Sequence, residues 1–325
     1  MNPLKETGMF KTKWITAAIC ASFLVPVAGR ADPFDPKMIP ADAKWVAHID
    51  FDAARNTKSF AAVRDEMMTN EDFRAKLDQI KDLTGLSIPD DVNDITLFGK
   101  ASGDDAGVVI VHGKVDQAKT TESLGMAEQF DTKKHGKYDV YTWLDKDKNQ
   151  TMWGAFHDGS TVIIGHSETN IEAALDAMDG KGESLKADSR LAEGAKAQVL
   201  IYVAAKDIPQ LQGAGGKPNP IAASVDSAWI SLSEKDDTAN ARADLRANSA
   251  DNASNVRSLL EGLKGMLGVS ASGENADLVA KAVVAADKTF ATTQKDTDVL
   301  IDWPIPIDQL KAIIKAIGDK HAAGN

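Results

Sequence analysis

Cysteine is almost missing from this chain. Its 325 residues include one, Cys20, inside an N-terminal segment with the pattern of a cleaved leader. Without that leader there is no thiol. Disulfides, a cysteine nucleophile and cysteine-ligated zinc are then excluded together. Basic residues are also in deficit, with 37 Lys and Arg against 48 Asp and Glu. No basic block of five or more residues breaks this balance. Such a chain is repelled by nucleic acid phosphates and by anionic head groups, so neither is an expected partner. Catalytic signatures are missing as well. There is no G-x-S-x-G elbow and no H-E-x-x-H helix.

Two stretches imitate a motif and fail it. Gly213 to Pro220, GAGGKPNP, has Leu211 where a phosphate loop needs its first glycine, and Pro218 where it needs Ser or Thr. A flexible connector is expected there. Asp145-Lys146-Asp147-Lys148-Asn149 opens like a calcium loop, but Gln150 replaces the glycine and Phe156 the bidentate glutamate. A polar hairpin turn is expected instead. Asp158-Gly159 marks a second hairpin. His135 lies in the polar run KKHGK and reads as solvated.

The first thirty residues are informative. Lys5, Lys11 and Lys13 precede an uncharged apolar run, Trp14 to Val27, followed by Ala28, Gly29 and Ala31. This is the three-part pattern of a secretory signal. The run is shorter than the ~20 residues of a membrane-spanning helix. Cleavage is expected after Ala31, or else after Gly29. That defines a leader over 1–31 and a mature chain with no membrane span, placed in the periplasm or outside the cell. Cys20 is not at the end of the apolar run, so no lipid anchor is expected. The leader holds Lys5, Lys11, Lys13, Arg30 and Glu6, so the mature chain has 33 basic and 47 acidic residues, a net −14.

The mature chain reads as two related α+β units, 32–190 and 191–325, each an antiparallel sheet with helices packed on one face. The strand WVAHIDF from Trp45 has a counterpart in VLIYVAA from Val199. Strand pairs near Asp94–His112 and Ser227–Leu245 follow, then a helix, further strand and a closing helix. Apolar residues at helical spacing predict helices over Glu71–Leu83, Asn170–Met178, Asp251–Leu267, Glu274–Phe290 and from Pro306 onward. A boundary is expected in the small, polar run Leu185–Ala197.

One chemical patch survives. Alternation puts Trp45, Ala47, Ile49 and Phe51 on an apolar face, and Val46, His48, Asp50 and Asp52 on the other. If the strand ending at His112 lies nearby, His48, Asp50 and His112 meet on a solvated sheet face. Two imidazoles and a carboxylate are a possible divalent-metal set. No other cofactor is expected.

The segment Ile39-Pro40-Ala41-Asp42-Ala43-Lys44-Trp45-Val46-Ala47-His48-Ile49-Asp50 resembles the start of many exported bacterial proteins of unknown function. Those begin their mature domain with P-A-D and a strand ending in aspartate. Asp158-Gly159-Ser160-Thr161-Val162-Ile163-Ile164-Gly165 is similar in style. The resemblance implies an envelope or extracellular location and carries no catalytic residues. The expected function is an exported, non-enzymatic protein that binds a partner, an envelope component or a ligand through its sheets. The alternatives are a metal-binding protein or metal-dependent hydrolase, and a structural subunit of an assembly.

Overall fold

The computed structural model describes residues 34–101, 107–146, 148–195, 199–208, 220–272 and 278–323. The leader and most of the GAGGKPNP run lie outside these residues.

Strand β1 (Trp45–Asp50) ends where its last residue caps a helix. Asp50 Oδ1 accepts the Ala53 N–H at 2.7 Å, and α1 (Phe51–Ala54) begins. Helix α2 (Lys58–Met67) is capped by Thr57 and α3 (Glu71–Thr84) by Asn70. Gly85 closes α3 in the left-handed region, φ 78°, where glycine is unstrained. Then come β2 (Val92–Gly99), β3 (Gly107–Gly113) and α4 (Gln117–Gly125). The meander is β4 (Asp131–His135), β5 (Tyr138–Asp145), β6 (Gln150–Asp158) and β7 (Thr161–Gly165), closed by α5 (Glu168–Met178).

The remaining elements are β8 (Ile201–Lys206), α6 (Pro220–Ser224), β9 (Val225–Lys235), β10 (Thr238–Ala247) and α7 (Ala250–Ser270). They are followed by α8 (Leu278–Ala286), β11 (Ala291–Lys295), β12 (Asp298–Pro306) and α9 (Ile307–Ala323). No helix among the described residues is long and apolar enough to cross a membrane.

The sheet differs from expectation. Among the described residues there are not two sheets but one of twelve strands, in the order β11-β12-β10-β9-β8-β1-β2-β3-β7-β6-β5-β4, with antiparallel neighbours. The halves join where β1 pairs with β8, Trp45 opposite Ala205 and Ile49 opposite Ile201. Each first strand would otherwise leave a row of unpaired backbone groups, and pairing satisfies both.

The helices do not keep to one face either. On one face, α5 lays Ile171, Ala174 and Leu175 against Val46, Phe98, Ile110, Ile163 and Tyr202. Residues 34–43 cover the same face through Phe34 and Ile39. So does the expected boundary, through Leu185, Leu191 and Ala192. That run is core rather than linker. On the opposite face, Phe60 and Val63 of α2 pack with Ile201, Leu232, Ile305, Leu310 and Ile313. Each core therefore mixes residues from both halves.

Candidate functional site

Cross-strand register decides which side chains share a face. Asp50 stands opposite Asp94, Asp94 opposite His112, and His48 opposite both Thr96 and Tyr202. The three sequence candidates thus share one face with Asp94 and Thr96 between them. This is the covered face, not a solvated one. His48 and Asp50 are each 3% exposed. The polar face is buried because the sheet continues into β8 and the 34–43 strap crosses it. Phe34 meets the His48 ring edge-on at 5.7 Å and lies 5.8 Å from the Tyr202 ring.

The cluster splits into separate contacts. His112 Nδ1 lies 2.8 and 2.9 Å from the two Asp94 oxygens. His48 Nδ1 lies 2.8 Å from Thr96 Oγ1, and buried His48 Nε2 has no hydrogen-bond partner among the described residues. Burial pushes the His48 pKa down to about 4, with Asp94 opposing and His112 adding to the shift. Burial pushes Asp50 up to about 6, against its bond from the Ala53 N–H and with the Asp94 and Asp52 charges. The cluster thus separates into a helix-capping Asp50, a His48 kept neutral by burial, and a His112–Asp94 contact.

Among the described residues, no group of three or more His, Cys, Asp or Glu can hold a metal ion. His112 faces Asp94, and His48 sits one row further along β1, against Thr96. The sequence reading missed Asp94 and Thr96. Their signal is the alternation of β2, in which Asp94, Thr96 and Phe98 share a face. His135, read as solvated, is bound by Asp176 at 3.0 Å and lies 3.3 Å from Glu172.

The opposite face carries a different feature. Ile230, Val203, Ala47, Leu97, Val109 and Ile164 stand opposite one another in turn across β9, β8, β1, β2, β3 and β7. Five strand spacings make this row about 24 Å long. Ile230 is 55% exposed, Leu97, Val109, Val203 and Ile164 are half-buried, and Ala47 is buried. Ala47, Leu97, Val109 and Ile230 join none of the hydrophobic clusters.

Two indoles frame the row. The Trp45 ring lies on Gly99, where a Cβ would come within 2.6 Å of it. The Trp143 ring lies on Gly154, where a Cβ would come within 3.2 Å. Glycine at these two positions lets each indole rest on the sheet. The row offers no hydrogen-bonding side chain, so what it can do is bury apolar surface.

These features define a class: an α+β chain with a single antiparallel sheet, one face covered and the other partly open. No family model matches the sequence, and no curated protein matches it. Among solved structures, crystal form III of TP0453 aligns with 88% of this chain and 98% of its own, at a TM-score of 0.48 and 10% identity. Crystal form IV gives 0.47 and 9% over the same shares. Crystal form I gives 0.42 and 9% over 89% and 100%.

Proposed function

We propose that this chain is an exported, non-enzymatic binding protein that takes an apolar ligand or partner on the open face of its central sheet. The observation that carries the reading is the partly open apolar row from Ile230 to Ile164. The open face of an antiparallel sheet ordinarily carries polar side chains, and here it carries an aliphatic row with an isoleucine 55% exposed. Export is supported by the leader pattern, and binding rather than catalysis by the lack of a complete catalytic motif in the sequence. We also infer that the chain arose from two related units. The strand order on either side of the β1–β8 seam supports this, since β2 and β3 follow β1 outward as β9 and β10 follow β8.

The test is Nile red binding to the purified mature chain. Bound dye with shifted emission is expected. Ile230→Asp and Val109→Asp should each weaken it by about tenfold, the effect of losing one buried aliphatic contact. Circular dichroism should be unchanged. Equal dye binding by both variants would remove the open face from consideration.

A further inference from the structure

Among the described residues the sheet ends at two edge strands, β4 and β11. An edge offers another strand a row of backbone N–H and C=O groups, and charged side chains decide whether that offer is open. The two edges differ in this respect. β4 reads DTKKH and β11 reads ATTQK.

Register settles which groups of β11 point outward. A two-residue turn, Asp296-Thr297, joins β11 to β12 with Lys295 opposite Asp298. In such a hairpin the closing pair exchanges both of its backbone bonds, and bonded and non-bonded pairs alternate from there. Ala291, Thr293 and Lys295 therefore bond to β12, while Thr292 and Gln294 aim their N–H and C=O out of the sheet. A second copy of β11 satisfies these groups in one antiparallel register. Thr292 stands opposite the second copy's Gln294, Gln294 opposite its Thr292, and Thr293 meets itself on a two-fold axis. The strand is held extended for this from behind. Thr292 Oγ1 donates to Glu261 of α7 at 3.2 Å, and Gln294 Nε2 donates to the Ala250 carbonyl at 3.1 Å.

The side chains suit the same register. Ala291, Thr293 and Lys295 are exposed on one face. At the axis two threonines meet, a favourable cross-strand pair. The second copy's Lys295 stands opposite Ala291, and Ala291 stands opposite Asp302 of β12. Lysine and aspartate are then about 9.5 Å apart at the backbone, two strand spacings, with only a methyl group between them. Asp302 is 56% exposed, so the long lysine stem reaches it over Ala291. The two-fold axis makes this contact twice.

The same construction fails at β4. Its turn, Gly136-Lys137, makes His135 and Tyr138 the closing pair, so Lys133 is the residue that would meet itself on an axis. Like charges directly opposite are unfavourable, and Glu168 already engages this lysine at 2.9 Å.

We propose that β11 is the interface of a homodimer, in which two copies pair antiparallel about Thr293 and continue one sheet across a two-fold axis. The proposal is independent of the reading of the open face. Its chemistry is backbone pairing at the edge, with Lys295 of each copy answering Asp302 of the other.

The experiment is sedimentation of the mature chain over a concentration series reaching about 1 mM, where even a millimolar Kd registers. A reversible monomer–dimer equilibrium is expected. Thr293→Lys and Thr293→Glu should each weaken the dimer about tenfold, and mixing the two variants should restore it. Lys295→Glu should weaken it about threefold, and adding Asp302→Lys should recover the loss. Ile230→Asp should leave it intact. Cys20 lies in the leader and is the only cysteine, so one introduced thiol reports one position. Thr293→Cys should cross-link on mild oxidation, because a non-bonded cross-strand pair brings its Cα atoms to about 4.5 Å. Lys133→Cys on the other edge should not.

A monomer throughout the series, or a dimer indifferent to both Thr293 substitutions, overturns the proposal. So does equal cross-linking at Thr293→Cys and Lys133→Cys, which marks random collision. A mixture of Thr293→Lys and Thr293→Glu that stays monomeric removes Thr293 from the axis. A dimer lost in Ile230→Asp but kept in Thr293→Lys places the interface on the open row instead.

Discussion

Two buried charged clusters sit on the same covered face of the sheet, each reaching the third strand out from the β1–β8 seam. On one side, Asp94 meets His112 of β3, with His48 and Asp50 beside them. On the other, Arg190 meets Asp244 of β10 at 3.0 Å, the pair being 10% and 7% exposed. Arg190 Nε also donates to Ser227 Oγ at 3.0 Å, and its Nη1 donates to Glu193 at 2.7 Å. Burial works against the guanidinium charge, but Asp244 and Glu193 outweigh it and hold the arginine pKa above its ordinary value. One cluster therefore rests on a charge that no accessible pH removes. The other includes His48 and Asp50, whose pKa values burial moves to about 4 and about 6. Equal burial thus gives opposite sensitivities, and the chemistry of the cation decides which.

The largest effect should come from breaking the permanent pair. Arg190→Met leaves the Asp244 carboxylate buried and alone, and should cost about 3–5 kcal/mol in urea denaturation. Removing both charges together, Arg190→Met with Asp244→Leu, should restore most of that. A single-variant loss below about 1 kcal/mol would mean that water reaches Asp244 and that the two clusters are not comparably buried.

The titrating cluster should show itself as pH dependence. Asp50 is raised to about 6, so the folded state holds its proton more tightly than the unfolded state between the ordinary carboxylate value and 6. That contribution is complete at low pH and is lost as pH rises through 6. His48 is lowered to about 4, so the unfolded state binds its proton first. That contribution is lost as pH falls from the ordinary imidazole value to 4. Between about pH 4 and 6 the two slopes oppose and largely cancel each other. Asp50→Asn, which keeps a capping oxygen for the Ala53 N–H, should expose the His48 slope. Its stability should fall with falling pH by up to about 1.4 kcal/mol per unit. His48→Gln should give the reverse slope. Two variants with slopes of the same sign would contradict the assignment.

Much of the fold was legible in the sequence, and the reasons for the gaps are physical. Alternation found β1, β2, β3 and the meander, and helical spacing found α3, α5 and α9. Gly85 and Asp158-Gly159 marked a helix end and a hairpin. The merger of the sheets was not legible, because edge pairing is made by backbone groups that every sequence carries. The burial of His48 and Asp50 was misread for a related reason. A polar row in a strand usually faces water, but here the strap and Tyr202 cover it while the apolar row opposite stays partly open. Asp94 could be joined to Asp50 only through a register that spans more than forty residues of intervening chain. Arg190 lay in a run of small and polar residues that resembles a linker, and only its neighbours Leu191 and Ala192 hinted at a core.

The smallest expected effect sharpens the comparison most directly. Arg242 and Asp302 stand opposite each other on β10 and β12, on the same face and two residues along β10 from Asp244. Their ion pair has the same 3.0 Å separation as the Arg190–Asp244 pair. The difference is exposure, 62% and 56% here. Water solvates both partners before and after the pair breaks, so little desolvation is at stake. Arg242→Gln should cost less than about 1 kcal/mol, and most of that should vanish at 1 M salt, where the screening length is about 3 Å. Arg190→Met should keep its full cost at that salt. If the two substitutions respond alike to salt, distance rather than burial governs both pairs, and the contrast between the two halves of the sheet loses its basis.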